Sequence, residues 1–67
     1  MKYGELEHDI IMWAEEHAVL TIKKYFDTLE NAVWYKEHGH SYAYETHIKK
    51  AESYANRLRS RYYKYHS

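Results

Sequence analysis

The chain has 67 residues, with ten basic and ten acidic side chains and a formal net charge of zero. This length allows one domain with a modest core, and so short a chain is usually only marginally stable alone. The lack of cysteine excludes disulfides and thiolate metal sites. The lack of proline and the presence of only two glycines disfavour a turn-rich β fold. Balanced charge argues against a general attraction to nucleic acid or to anionic membranes.

A first long helix is predicted over about residues 5–37, with Gly4 as its N-cap and acidic residues in its first turns. The segment Asp27–Glu30 has the form of a capping box, so a break near residue 27 is an alternative. We favour continuity because no proline or glycine lies nearby. Apolar residues recur at three- and four-residue steps, which is typical of one buried helix face: Ile10, Ile11, Ala14, Ala18, Ile22, Tyr25, Leu29, Ala32 and Val33.

A turn is predicted at residues 38–41, followed by a second helix over about residues 42–65. Gly39 suits the left-handed position just past a helix end, and Ser41 suits the N-cap of the next helix. A link this short returns the chain antiparallel. We therefore predict an all-α fold, an antiparallel helical hairpin forming a single domain over residues 1–67. The core stripe predicted for the second helix comprises Tyr44, His47, Ile48, Ala51, Tyr54, Ala55, Leu58, Tyr62 and Tyr65.

The register of this hairpin predicts a homodimer. If the turn centres on Gly39, the second helix reaches only to about Met12, which leaves Leu6, Ile10 and Ile11 without an intramolecular partner. Leu6, Trp13 and Leu20 recur every seven residues on another side of the first helix. A helix that is apolar on two sides is usually covered on both, and a second copy would complete a four-helix bundle. Isolated exposed apolar residues are the ordinary alternative.

Charge is divided unequally along the chain. Residues 1–38 hold four lysines and eight acids, whereas residues 39–67 hold six basic residues and two acids. We expect the acidic and basic helices to attract each other, although exposed ion pairs contribute only about 0.2–1 kcal/mol each. The basic group Arg57, Arg59, Arg61 and Lys64 is interleaved with tyrosines. Because arginine neutralises phosphate and tyrosine stacks on bases, RNA or DNA binding is an alternative function.

The sequence offers little for catalysis or cofactor binding. His38, His40 and His47 invite a metal interpretation, but no two histidines have the usual i, i+4 helical spacing. Glu5 and His8 have the Glu-x-x-His spacing of di-iron bundles, which require a second such pair. The chain has no cysteine nucleophile and no glycine-rich phosphate loop. We therefore expect no enzyme activity, no metal and no cofactor.

Hydropathy predicts neither a membrane span nor a signal peptide. The longest apolar run is Ile10–Ala14, far shorter than a bilayer crossing requires. Met1 is followed by an acidic amphipathic stretch, not by a basic region and an apolar run. We expect a cytoplasmic protein without membrane contact.

The composition favours a non-enzymatic protein-binding module, such as a phage- or plasmid-type accessory protein. Tyr, Trp and Arg are enriched at binding hot spots, and this chain has nine tyrosines and two tryptophans. The architecture is similar to small plasmid RNA-binding four-helix bundles, a resemblance of fold alone. A purely structural oligomer is a further alternative. The residues predicted at an interface with a larger partner or a second copy are Leu6, Ile10, Trp13, Leu20, Trp34, Tyr35, Tyr42 and Tyr63.

Overall fold

The computed structural model describes residues 6–66, and all the regular structure in that range is helical. Three helices follow one another: α1 (His8–His17), α2 (Val19–Glu37) and α3 (Ser41–Tyr65). The prediction of an all-α fold is confirmed, but the described chain has three helices instead of two. Helices α2 and α3 form the closest pair. The predicted start of the first helix at Glu5 and its cap at Gly4 lie outside the described residues.

The helix break falls at Ala18, where the backbone leaves the helical region (φ −146°, ψ 49°). The Ala18 N–H still donates to the Ala14 carbonyl oxygen at 2.8 Å, so α1 ends in a regular turn. The predicted continuous helix over residues 5–37 is therefore wrong. The alternative break near residue 27 is also wrong, because α2 runs without interruption through Asp27. Thr28, in the supposed capping box, instead donates its hydroxyl hydrogen bond to the Lys24 carbonyl within the helix.

The turn between α2 and α3 is a Schellman motif built around Gly39. Gly39 has a positive φ of 76°, the left-handed conformation expected of it. The His40 N–H donates to the Tyr35 carbonyl oxygen at 2.9 Å, and the Gly39 N–H donates to that of Lys36 at 3.3 Å. Ser41 is the first residue of α3 and His40 occupies the cap position, so the prediction that Ser41 caps this helix is wrong.

Alanine dominates the buried core. Two large side chains, Ile10 and Leu58, are fully buried within the described residues, and Ile22 and Tyr25 are nearly so. Small residues at contact positions let helix backbones approach closely, which suits a chain with so few large aliphatic residues. The alanines buried with them are Ala14, Ala18, Ala32, Ala51 and Ala55.

Because of the break at Ala18, α1 folds back onto both other helices. Ile10 is fully buried, while Leu6 and Ile11 pack against the shared core. Glu7 contacts Arg59 near one end of α1, so α1 does not extend beyond the hairpin. The predicted overhang, with Leu6, Ile10 and Ile11 lacking an intramolecular partner, is therefore wrong.

Candidate interaction surface

Five aromatic and imidazole rings form a group at the turn end of the molecule, which we call the turn cluster: Trp34, Tyr35, His38, His40 and His47. The rings of Trp34 and His38 stack with centroids 3.9 Å apart and planes 15° apart. Tyr35 meets Trp34 edge-to-face at 5.2 Å and lies 4.9 Å from His47 of α3. The cluster therefore joins the end of α2 to the beginning of α3.

The turn cluster is fixed but accessible. The His38 Nδ1–H donates to the Trp34 carbonyl oxygen at 2.8 Å, so the imidazole is held over the indole by both a hydrogen bond and a stack. Trp34 nevertheless keeps 51% of its surface exposed, and Tyr42, just after the turn, keeps 84%. An exposed Trp/Tyr surface of this kind offers large amphipathic area with few rotatable bonds.

A second ring cluster lies at the opposite end, where the α1–α2 corner meets the end of α3. We call it the corner cluster: Trp13, His17, Tyr62, Tyr65 and His66. Trp13 stacks with His17 at 5.4 Å and meets Tyr62 edge-to-face at 5.8 Å. The indole Nε1 of Trp13 is buried and has no hydrogen-bond partner in the described part of the chain. Trp13 thus acts mainly as packing between α1 and α3.

The two clusters repeat one local pattern that the sequence interpretation missed. Trp13 and His17, and likewise Trp34 and His38, are four residues apart, in the segments WAEEH and WYKEH. In both pairs the imidazole stacks on the indole and its Nδ1–H donates to the tryptophan carbonyl. The i, i+4 spacing is the signal that could have predicted these contacts, because such residues are neighbours on a helix.

The exposed residues among the predicted interface set lie on different parts of the molecule. Leu20 is 73% exposed on α2, and Trp34 and Tyr42 are exposed at the turn end. Tyr63 is exposed near the end of α3, whereas Tyr35 is half-buried in the turn cluster. The structure therefore brings only Trp34, Tyr35 and Tyr42 to one end.

The remaining predicted interface residues take part in packing within the chain. Ile10 is fully buried in the core, so this fold does not offer it to a partner. Leu6 is half-buried against the same core, and Trp13 is half-buried in the corner cluster.

Helix α2 also carries an apolar surface that the sequence interpretation missed. Val19, Phe26 and Val33 keep 54%, 45% and 56% of their surfaces exposed. They are seven residues apart, so they lie along one line of the helix. We call them the α2 stripe. The prediction that Val33 lies on the buried face of the first helix is wrong, because Val33 is exposed while the adjacent Ala32 is fully buried.

The four basic residues of the predicted nucleic-acid site have different surroundings. The Arg59 Nε–H donates to Glu7 at 3.2 Å and its Nη1 to the Asn56 side-chain oxygen at 3.0 Å. The Arg57 guanidinium lies 5.8 Å from the ring centroid of Tyr54. Arg61 and Lys64 line a shallow depression together with Trp13 and Tyr65. Tyr65 is 60% exposed, so the prediction that it lies on the core stripe of the second helix is wrong.

The histidines and acids of residues 6–66 do not converge on a metal centre. No group of three or more His, Asp or Glu side chains in that range is arranged to hold an ion. His38 and His47 each direct Nδ1 to a carbonyl oxygen of their own helix, at 2.8 Å in both cases. Glu5 of the predicted Glu5–His8 pair lies outside the described residues.

No protein-family model, curated protein or solved structure matches this chain. The described helices all lack the length of apolar sequence that a bilayer crossing requires. The function of the chain is therefore inferred from the geometry of its own residues.

Proposed function

We propose that this chain is a non-enzymatic protein-binding module. Its contact surface is the turn cluster together with Tyr42, and its partner is a larger protein. The observation that carries the proposal is the half-exposed Trp34, held in place by the stacked ring of His38 at 3.9 Å.

A ring held in this way suits binding for two reasons. Tryptophan and tyrosine supply much of the energy at protein interfaces, typically from a few central side chains. A side chain that is already fixed loses little conformational entropy on association, which leaves more of the contact energy as affinity. Tyr42, at 84% exposure, adds a second large ring next to the turn.

The test is quantitative capture of partners from a lysate of the source organism with Trp34→Ala. Removing a central tryptophan typically costs 2 kcal/mol or more, so we expect the recovered partner to bind at least about 30-fold more weakly. Because Trp34 is half exposed, the variant should retain its helical circular dichroism.

Tyr63→Ala is the matched control, since Tyr63 is 58% exposed against 51% for Trp34 but lies toward the other end of α3. It should capture the partner like the wild type. Equal binding by Trp34→Ala and the wild type, or a loss confined to Tyr63→Ala, would contradict the proposed surface.

A second candidate function is binding of single-stranded RNA or DNA at the corner cluster. It is favoured by the depression where Arg61 and Lys64 lie beside the exposed ring of Tyr65. The ion pair between Arg59 and Glu7 weighs against it, because that guanidinium already has an anionic partner. The test is the affinity for a labelled RNA oligonucleotide. An affinity that falls steeply as salt is raised, and that is lower still for Arg61→Gln, would support this candidate over the first.

A further inference from the structure

The α2 stripe has the geometry of a helix-pairing surface. Val19, Phe26 and Val33 follow a seven-residue spacing, the repeat with which helices pack side by side. The three side chains extend over about 21 Å of helix, at about 1.5 Å per residue. About half of each remains exposed, which is unusual for three aligned large apolar side chains on one helix of a small chain.

The stripe continues into the core instead of standing alone. Between successive members of the stripe lie Ile22 and Leu29, each three residues after one member and four before the next. Ile22 is buried and Leu29 is half-buried. The apolar band of α2 is therefore wider than α1 and α3 cover. A helix with so wide an apolar band is usually covered by a further helix.

The charges beside the stripe are complementary to those of a second, antiparallel copy of α2. Lys23 and Glu30 lie on the same side of the stripe, within about 60° of Phe26 around the helix. They are nearly equidistant from Phe26 along the chain. A two-fold axis near Phe26 therefore places Lys23 of each copy opposite Glu30 of the other. Parallel pairing would instead place Lys23 and Glu30 of the two copies on opposite sides of the interface, so neither charge would meet a partner of opposite sign.

We propose that the chain forms a homodimer in which two α2 helices pack antiparallel through the α2 stripe. The interface is isologous, with Phe26 of both copies at its centre. One Lys23–Glu30 pair lies toward each end of the paired helices. Because the helices are antiparallel, the dimer carries one turn cluster at each end. This inference does not depend on the function proposed above, but it would make that protein-binding module bivalent.

The first test is the solution mass of the full chain by sedimentation equilibrium, for the wild type and Phe26→Glu. The wild type should be a dimer and Phe26→Glu a monomer, because two carboxylates would meet at the axis. Leu20→Glu is the matched control: Leu20 is 73% exposed on the same helix but lies about 120° around it from Phe26. It should remain a dimer. A wild type that is monomeric at its highest soluble concentration would overturn the proposal, as would a dimeric Phe26→Glu.

In the wild type the ring of Phe26 packs on Tyr25 at 5.3 Å, so Phe26→Glu also removes a contact within the chain. Exchange of the flanking charges provides a test that leaves this contact intact. Lys23→Glu and Glu30→Lys each replace two attractions with two repulsions, so each should weaken the dimer at least about fivefold at low salt. An equimolar mixture of the two variants should restore the affinity as a heterodimer, since unlike charges then face each other. The double variant should also regain it. Failure of the mixture to associate would contradict the antiparallel register.

Discussion

Two residues, Ile10 and Leu58, account for most of the large aliphatic volume that is fully buried. The side chains around them are mainly alanines, which contribute little apolar area each. Ile10 belongs to α1 and Leu58 to α3, so both sit in the contact that holds α1 against the other helices. Each should therefore carry a large share of the stability of so small a core.

We predict that Ile10→Ala lowers the free energy of unfolding by about 2–5 kcal/mol, because it removes buried methyl groups and leaves a cavity. Urea denaturation at one fixed protein concentration measures the change, since association alters apparent stability. Leu20→Ala, at an exposed position, should change it by no more than about 0.5 kcal/mol. If the two variants proved equally stable, α1 would not be docked on the core.

At this scale the helical period predicted many buried positions but not all. Ala14, Ile22 and Tyr25 were assigned to the buried face of the first helix, and all three are buried. The pattern erred at Val33, which lies about 100° around α2 from the buried Ala32 and so falls outside the face that packs on the core. The stacking of His38 on Trp34 follows from an i, i+4 spacing between residues of different types, and the spacing of the histidines among themselves does not indicate it.

At the scale of helices, the corner at Ala18 determines the fold more than the turn does. Gly39 made the turn predictable, because a left-handed backbone position favours glycine. Ala18 has no such signal, since alanine is the strongest helix former. The corner instead follows from tertiary packing: it brings Ile10 and Ala14 into the same core as Ala55 and Leu58. Burial of these side chains outweighs the helical hydrogen bonds that the corner interrupts next to Ala18.

We predict that Ala18→Ser is less destabilising than Ala32→Ser by about 0.5–2 kcal/mol, although both alanines are buried. Ala18 occupies the N-cap of α2 without a side-chain hydrogen bond, and a serine hydroxyl there can accept from an N–H of the first turn. In an unbroken helix neither serine would have a free first-turn N–H to accept from, so the difference in thermal stability between the two variants tests the break. Ala32→Ser, at a fully buried position inside α2, should be destabilising and is the control.

For the whole molecule, the opposite charges of the two halves of the chain meet in one described ion pair. Glu7 belongs to the acidic N-terminal half and Arg59 to the basic C-terminal half, and they are 3.2 Å apart across 52 residues of sequence. This pair joins the beginning of α1 to α3, opposite the corner at Ala18. Together with the ring contacts of Trp13 with Tyr62 and Tyr65, it holds both ends of α1 on the hairpin.

We predict a coupling free energy of about 0.2–1 kcal/mol between Glu7 and Arg59, because the Glu7 side chain is nearly half exposed. A double-mutant cycle with Glu7→Gln, Arg59→Gln and the double variant measures it by urea denaturation. Asn56 also accepts a hydrogen bond from Arg59, so the single Arg59 variant should lose more than the coupling alone. The coupling should diminish in about 1 M salt, where screening acts within about 3 Å. A coupling of zero at low salt would mean that ring packing and the buried Ile10 hold α1 in place without help from charge.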